Sequence, residues 1–206
     1  MEYIYKIIFR SFIMKYLNLE EVLQPKQKYV QELSSKIRID IKAVEHEIAT
    51  NTCFEKAELI NWPAERVVKA IFFYKEDLLY GFIFPELGTK DSPKYIDSKE
   101  IFPRILGCTK KQSKKFSNSY CPEGMEHGTC TPFVLDDSFQ NPGKRLTNIF
   151  IHDFKELKNK LVDISIGGFG ERAHKISLHL PYEGIYEILN YKFGDKIQKI
   201  NLFENL

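Results

Sequence analysis

The chain has 206 residues, a formal net charge of +2, 43% hydrophobic residues and a mean hydropathy of -0.32. These values describe an ordinary globular chain, long enough for one core without disulfide staples. They exclude a polycation that coats nucleic acid through charge alone.

The N-terminal stretch, MEYIYKIIFRSFIMKYLNL, is apolar in patches but is broken by Glu2, Lys6, Arg10 and Lys15. It is too interrupted for a membrane span and lacks a clean signal-peptide pattern, so it reads as a helix or strand docked on the domain, with a transit peptide as the alternative that its mix of Arg, Lys and apolar residues suggests. Lys26 to Ile37 has helical periodicity, with Tyr29, Val30, Leu33 and Ile37 on one side. Ile39–Val44 reads as a strand. Thr52 caps a helix over Cys53–Ile60 with Glu55 closing a capping box, and Trp62-Pro63 stops it.

Arg66–Tyr74 is dense in β-branched and aromatic residues and predicts a buried strand. Lys75-Glu76-Asp77 turns it into a second strand, Leu78–Phe84. Asp97 opens a helix over Ser98–Leu106 that Gly107 ends. Residues 116–132 read as a long shaped loop, Phe133-Val134-Leu135 as a short strand and Gln140–Arg145 as a turn. Further strands are predicted at Asn148–Ile151, Val162–Ile166 and Lys175–Leu180, with helices at Phe154–Leu161 and from Pro181 through Asn190. Residues 197–206 look peripheral.

Strands and helices interleave with at least one hairpin. That predicts an α/β fold whose mixed, partly barrel-like β-sheet is surrounded by helices. The expected organisation is an N-terminal extension, residues 1–25, and a single domain, residues 26–206. Gly167-Gly168-Phe169-Gly170 leads from one strand into the next, lacks the helix N-terminus of a phosphate cradle, and reads as a tight turn.

Three features carry chemistry. Lys69 lies mid-strand, sharing a face with Val67, Ile71 and Phe73 while Arg66, Val68, Ala70 and Phe72 take the other. A lysine there either reaches solvent or lines a cleft. Gly128-Thr129-Cys130-Thr131-Pro132-Phe133 is either an ordinary structured loop or one that aims backbone N–H groups at a carbonyl oxygen. His46, in Val44-Glu45-His46, is either structural or part of a site. Cys130 with His127 as its base would be a thiol nucleophile, but residues so close in one loop seldom form a poised pair.

Cys53, Cys108, Cys121 and Cys130 form no CxxC pairs. They read as reduced thiols of a cytoplasmic protein, and Cys121, His127 and Cys130 fall short of a four-ligand zinc site. Lys110, Lys111, Lys114 and Lys115 read as a solvated helix face or as phosphate contacts.

Four pieces, in order, resemble the YbaK/prolyl-tRNA synthetase-associated editing domain family. They are VEH followed by Thr52 and FEKAELI; RVVKAIFF; IDSKEIFPRILG with its basic stretch and GTCTPF; and VDISIGGFGERAHKISL. The resemblance runs from about residue 26 to 190. It implies a trans-acting deacylase that hydrolyses tRNA mischarged with a small amino acid such as alanine, serine or cysteine, without metal, cofactor or side-chain nucleophile. Its partners would be the tRNA 3′ acceptor end and, in some settings, a synthetase. The protein would be a monomer or homodimer with no membrane attachment.

By the same resemblance, Lys69 would position the tRNA end and the Gly128 backbone would hold the ester carbonyl or the attacking water. Thr129, Cys130, Thr131, Pro132 and Phe133 would shape the amino-acid pocket, with His46 at its rim. Gly167 and Gly168 would let backbone pack close. The family usually follows its lysine with Thr, where this chain has Ala70, and has an aliphatic residue where this chain has Cys130. The alternative is a non-catalytic tRNA- or synthetase-binding module on the same fold.

Overall fold

The computed structural model describes residues 14–203 except 138, 141 and 142. Residues 1–13 of the expected extension lie outside the described residues. From there Lys15–Leu17 forms an edge strand, β1, and Leu19–Val22 a short helix, α1. A turn at Pro25–Gln27 leads into α2, Lys28–Ile37, two residues later than the sequence predicts. Next come β2 (Lys42–Glu45), α3 (Cys53–Ile60), β3 (Val67–Lys75) and β4 (Leu78–Pro85). The helices α4 (Ser98–Leu106) and α5 (Lys110–Ser113) follow. The chain ends with β5 (Phe139–Gln140), β6 (Lys144–His152), β7 (Leu161–Ser165), α6 (Gly170–Ala173), β8 (Ile176–Pro181), α7 (Tyr182–Phe193) and β9 (Ile197–Ile200).

Among the described residues the strands form one nine-stranded sheet in the order β1-β2-β8-β7-β3-β4-β6-β5, with β9 also on β6. It is mixed, as expected: β3 is antiparallel to β4, while β4 is parallel to β6 and β3 to β7. It stays open, because β1 and β5 end the order and do not pair with each other.

Alternation along β3 divides its side chains as the sequence predicts. Val68, Ala70, Phe72 and Tyr74 join the larger core, beneath α2 and α7. Phe73, with Ile71 packed beside it, enters an aromatic cluster under α4. There Phe102 stacks on Phe116 at 3.6 Å, and Phe73 and Phe82 meet Phe102 edge-on.

Several elements differ from expectation. Phe133-Val134-Leu135 is not a strand: a single helical turn, Pro132–Val134, plugs the core, and Pro132 suits its first position because it needs no N–H there. Phe154–Leu161 forms only one turn, Lys155–Leu157, since Leu157 alone in that turn has a core to enter. The turn at 140–145 is shorter, with Gln140 in β5 and Lys144 and Arg145 in β6. Residues 197–203 are not peripheral: β9 extends the sheet beside β6, and Leu202 is fully buried. Gly170 opens a four-residue helix before β8 rather than running directly into a strand.

Candidate functional site

The cleft opens where the ladder between β3 and β7 stops. β7 pairs with β3 only at Val67 and Val68. At the far end Tyr74 exchanges backbone hydrogen bonds with Ser117, at 2.7 and 2.9 Å. In the antiparallel pair with β4, the odd-numbered residues of β3 spend their backbone groups on β4, as the Glu86 N–H to Val67 carbonyl bond shows. Ala70 and Phe72 therefore turn their N–H and C=O groups toward the gap, and among the described residues nothing pairs with them. Both line a cavity of about 530 Å³, walled also by the first turn of α3 and by residues 118–130.

Lys69 lines this cavity, but its ammonium is engaged: it donates to Glu86 Oε2 and to the Lys94 carbonyl, both at 2.6 Å. Glu86 is buried, and its other oxygen accepts the Gly88 and Lys94 N–H groups at 3.0 Å each. An ammonium has three N–H bonds, so one remains for a ligand.

The Gly128 loop forms the opposite wall. Gly128 has φ +87, and a Cβ there would come within 2.9 Å of His174 Cε1. Glu126 ties this loop to the 170–174 segment, accepting the Gly170 N–H at 2.7 Å and lying 3.3 Å from His174 Nε2. Gly128 and Cys130 line the cavity, and among the described residues neither of their N–H groups has a partner.

The other predicted site residues stand behind this wall. Thr129 is buried, donates to the Gly168 carbonyl at 2.9 Å and receives Ser165 Oγ on its own carbonyl at 2.9 Å. The Thr131 N–H meets Met125 Sδ, while Pro132 and Phe133 are in the core turn. Gly167 and Gly168 take φ +82 and +114 and clamp the loop, with the Gly168 N–H on the Gly124 carbonyl at 2.9 Å. His46 is 2% exposed, does not line the cavity, and lies 2.7 Å from Ser177 Oγ.

Asp163 and Lys56 were not singled out by the sequence reading, yet both line the cavity. The Asp163 carboxylate accepts the Ser177 hydroxyl and lies 3.0 Å from His179 Nε2 and 3.5 Å from His46 Nε2. Burial works against its charge. The bonds to His179 and His46, with Lys56 nearby, nonetheless hold its carboxyl well below the usual range. Burial also pushes His46 below an ordinary imidazole. Donor atoms of His46, Asp163 and His179 lie within 4.8 Å of one another and are joined as a hydrogen-bonded network. Trp62 packs against His179 with its ring tilted by 36° at 4.6 Å, and Arg66 covers Trp62 at 3.8 Å. A charged residue in the apolar run Leu161–Ser165, facing His179 across the ladder, was the signal available for Asp163.

Cys121 and Cys130 face each other at the cavity with their sulfurs 3.8 Å apart. The hydrogen bond from Cys130 lowers the Cys121 thiol to about 7, while that pairing and burial push Cys130 up. Lys110, Lys111, Lys114 and Lys115 are all exposed, on α5 and the turn after it.

No protein-family model matches the sequence, and no curated protein matches it. Solved structures match the fold. A candidate trans-editing enzyme for prolyl-tRNA synthetase superposes with a TM-score of 0.54 at 14% identity, over 86% of this chain and 97% of its own. This chain shares that fold. A structure from work on computational epitope grafting onto scaffold proteins gives 0.54 at 16% identity, over 89% and 100% of the two chains. A hypothetical protein gives 0.51 at 16% identity, over 82% and 96%. Among the described residues no helix is long and apolar enough to cross a membrane.

Proposed function

We propose that this chain hydrolyses the ester of tRNA mischarged with a small amino acid, acting in trans. The observation that carries this reading is the cleft itself. Lys69 stands on one wall, and the unpaired N–H groups of Gly128 and Cys130 belong to the other. An aminoacyl ester is already activated, so positioning and stabilisation of the developing oxyanion supply much of the rate.

In this scheme the third N–H of Lys69 holds an oxygen of the terminal nucleotide, and the loop amides donate to the carbonyl oxygen as water adds to the carbon. The C–O bond to the ribose then breaks, the ribose oxygen takes a proton, and the free amino acid leaves. No side-chain nucleophile is required. The likeness of fold to a candidate editing enzyme supports the class of reaction. Glu126 and the two glycines that fix the loop support its role as a preorganised wall.

The second reading is a module that binds the acceptor end without turnover. It is favoured by Ala70, which leaves no hydroxyl on β3 beside Lys69. A deacylation panel with Ala-, Ser- and Cys-charged tRNAs separates the two. Hydrolysis above the spontaneous rate, reduced by Gly128→Ala, supports the enzyme. If no substrate in the panel turns over while charged tRNA is still retained, the binding module is correct.

A further inference from the structure

Of the three lysines that line the cleft, Lys69 is tied to Glu86 and the Lys94 carbonyl and the exposed Lys90 to Glu58, which leaves Lys56. Lys56 is only 8% exposed and lines the cavity. Among the described residues its ammonium has no hydrogen bond and no ion pair; Asp163 and Cys53 act on it only through space. Asp163 carries the opposing charge, but its Oδ2 already serves Ser177 and His179. Its stem is buried while the ammonium opens onto the cavity, where its charge meets no protein partner among the described residues and favours an anion.

The backbone beside it is arranged to the same end. α3 begins in the cavity wall, where Thr52, Cys53 and Phe54 all line the space. Thr52 Oγ1 takes the Glu55 N–H at 3.1 Å, and the Glu55 carboxylate turns back onto the Asn51 and Thr52 N–H groups at 2.9 and 3.1 Å. The N–H groups of Cys53 and Phe54 keep no acceptor among the described residues. A helix N-terminus with free amides favours an anion.

We propose that Lys56 and the first turn of α3 form an anion-binding subsite inside the cleft, taking an oxyanion carried by the ligand. An esterified amino acid has no free α-carboxylate, which leaves two sources: a phosphate of the nucleotide or a side-chain carboxylate. That choice of sources rests on the aminoacyl-tRNA reading; the subsite itself does not. Lys69 offers a ligand its third N–H with its charge already met by Glu86, whereas Lys56 offers a charge that no carboxylate among the described residues touches.

Titration calorimetry on the intact protein tests this without requiring turnover, using two matched pairs. AMP against adenosine isolates a phosphate, and the α-methyl ester of aspartate against that of asparagine isolates a carboxylate. The charged member of at least one pair is expected to bind roughly ten-fold tighter than its neutral partner. Lys56→Gln, and Lys56→Met with its similar length, should bring that ratio to about one, while thermal unfolding shows both variants folded. Preference in the AMP pair identifies phosphate, and preference in the ester pair a carboxylate. The subsite is overturned if neither pair shows a charge preference, or if the preference survives in both variants. A protein that binds through Lys56 yet deacylates nothing keeps the subsite and loses the hydrolase reading. One that deacylates with no charge preference does the reverse.

Discussion

Lys69 on β3 donates to Glu86, the residue that follows β4, at 2.6 Å, and Glu86 is 3% exposed. The lysine is therefore a counter-ion as well as a candidate positioner. Removing it leaves a nearly buried carboxylate at the cavity wall, held only by two amides. Lys69→Met is expected to cost about 3–5 kcal/mol of folding stability, read from the denaturant midpoint. A midpoint equal to that of wild type would mean the pair is not buried as described. Activity loss in such a variant needs this control before it is assigned to catalysis.

Gly167→Ala should destabilise through geometry alone. The backbone there has φ +82, and the new methyl would come within 2.9 Å of Thr131 Cγ2 and Val134 Cγ2. About 1–3 kcal/mol is expected, from left-handed strain and overpacking together. Gly143→Ala, at φ +87 but with open space around it, is the control and should cost less.

Cys121 should be the fastest thiol to alkylate. Its pKa of about 7 places the reactive thiolate within the neutral range, whereas burial and the paired sulfur raise Cys130 and burial raises Cys53 to about 12. Mass-spectrometric mapping with iodoacetamide should show Cys121 labelling rise with a midpoint near pH 7. Cys130→Ser exchanges a thiol donor for a hydroxyl of different reach, and should move that midpoint up without abolishing deacylation. Loss of turnover in Cys130→Ser would instead argue for a thiol mechanism.

Acid should unfold the protein partly through Asp163. Its folded pKa lies below the unfolded value of roughly 3.9, so the contribution is complete above that value and is lost as pH falls toward the folded one. His46 acts in the same direction at higher pH. Burial lowers its folded pKa, so the unfolded chain binds a proton first and stability declines below about pH 6.5. Asp163→Asn should cost about 2 kcal/mol at pH 7 and flatten the profile below about pH 4. An unchanged acid limb would remove Asp163 from this role.

Much of the frame was legible in local chemistry. The Thr52–Glu55 capping box, the Asp97 and Gly107 bounds of α4 and the β3–β4 hairpin follow from residues only a few positions apart. The alternation that put Lys69 with Ile71 and Phe73 also held. Sequence did not reveal what depends on distant pairing. Glu86 is 17 positions from Lys69, and His46 meets Ser177 across 131. Phe133 read as a strand because it is apolar, when its apolarity serves a core plug. Lys56 carries no signal of its own in a helix with several charged residues, and only the packing of α3 brings it to the cavity.

The interrupted ladder along β3 also leaves a record in time. Lys69 and Ile71 have amides locked to β4, whereas those of Ala70 and Phe72 face the cavity. Amide hydrogen exchange should therefore alternate along this strand, slow and fast at successive residues, in the free protein. Any molecule that seats itself in the gap and bonds to that edge will erase the alternation, so two amides report occupancy whatever the occupant turns out to be.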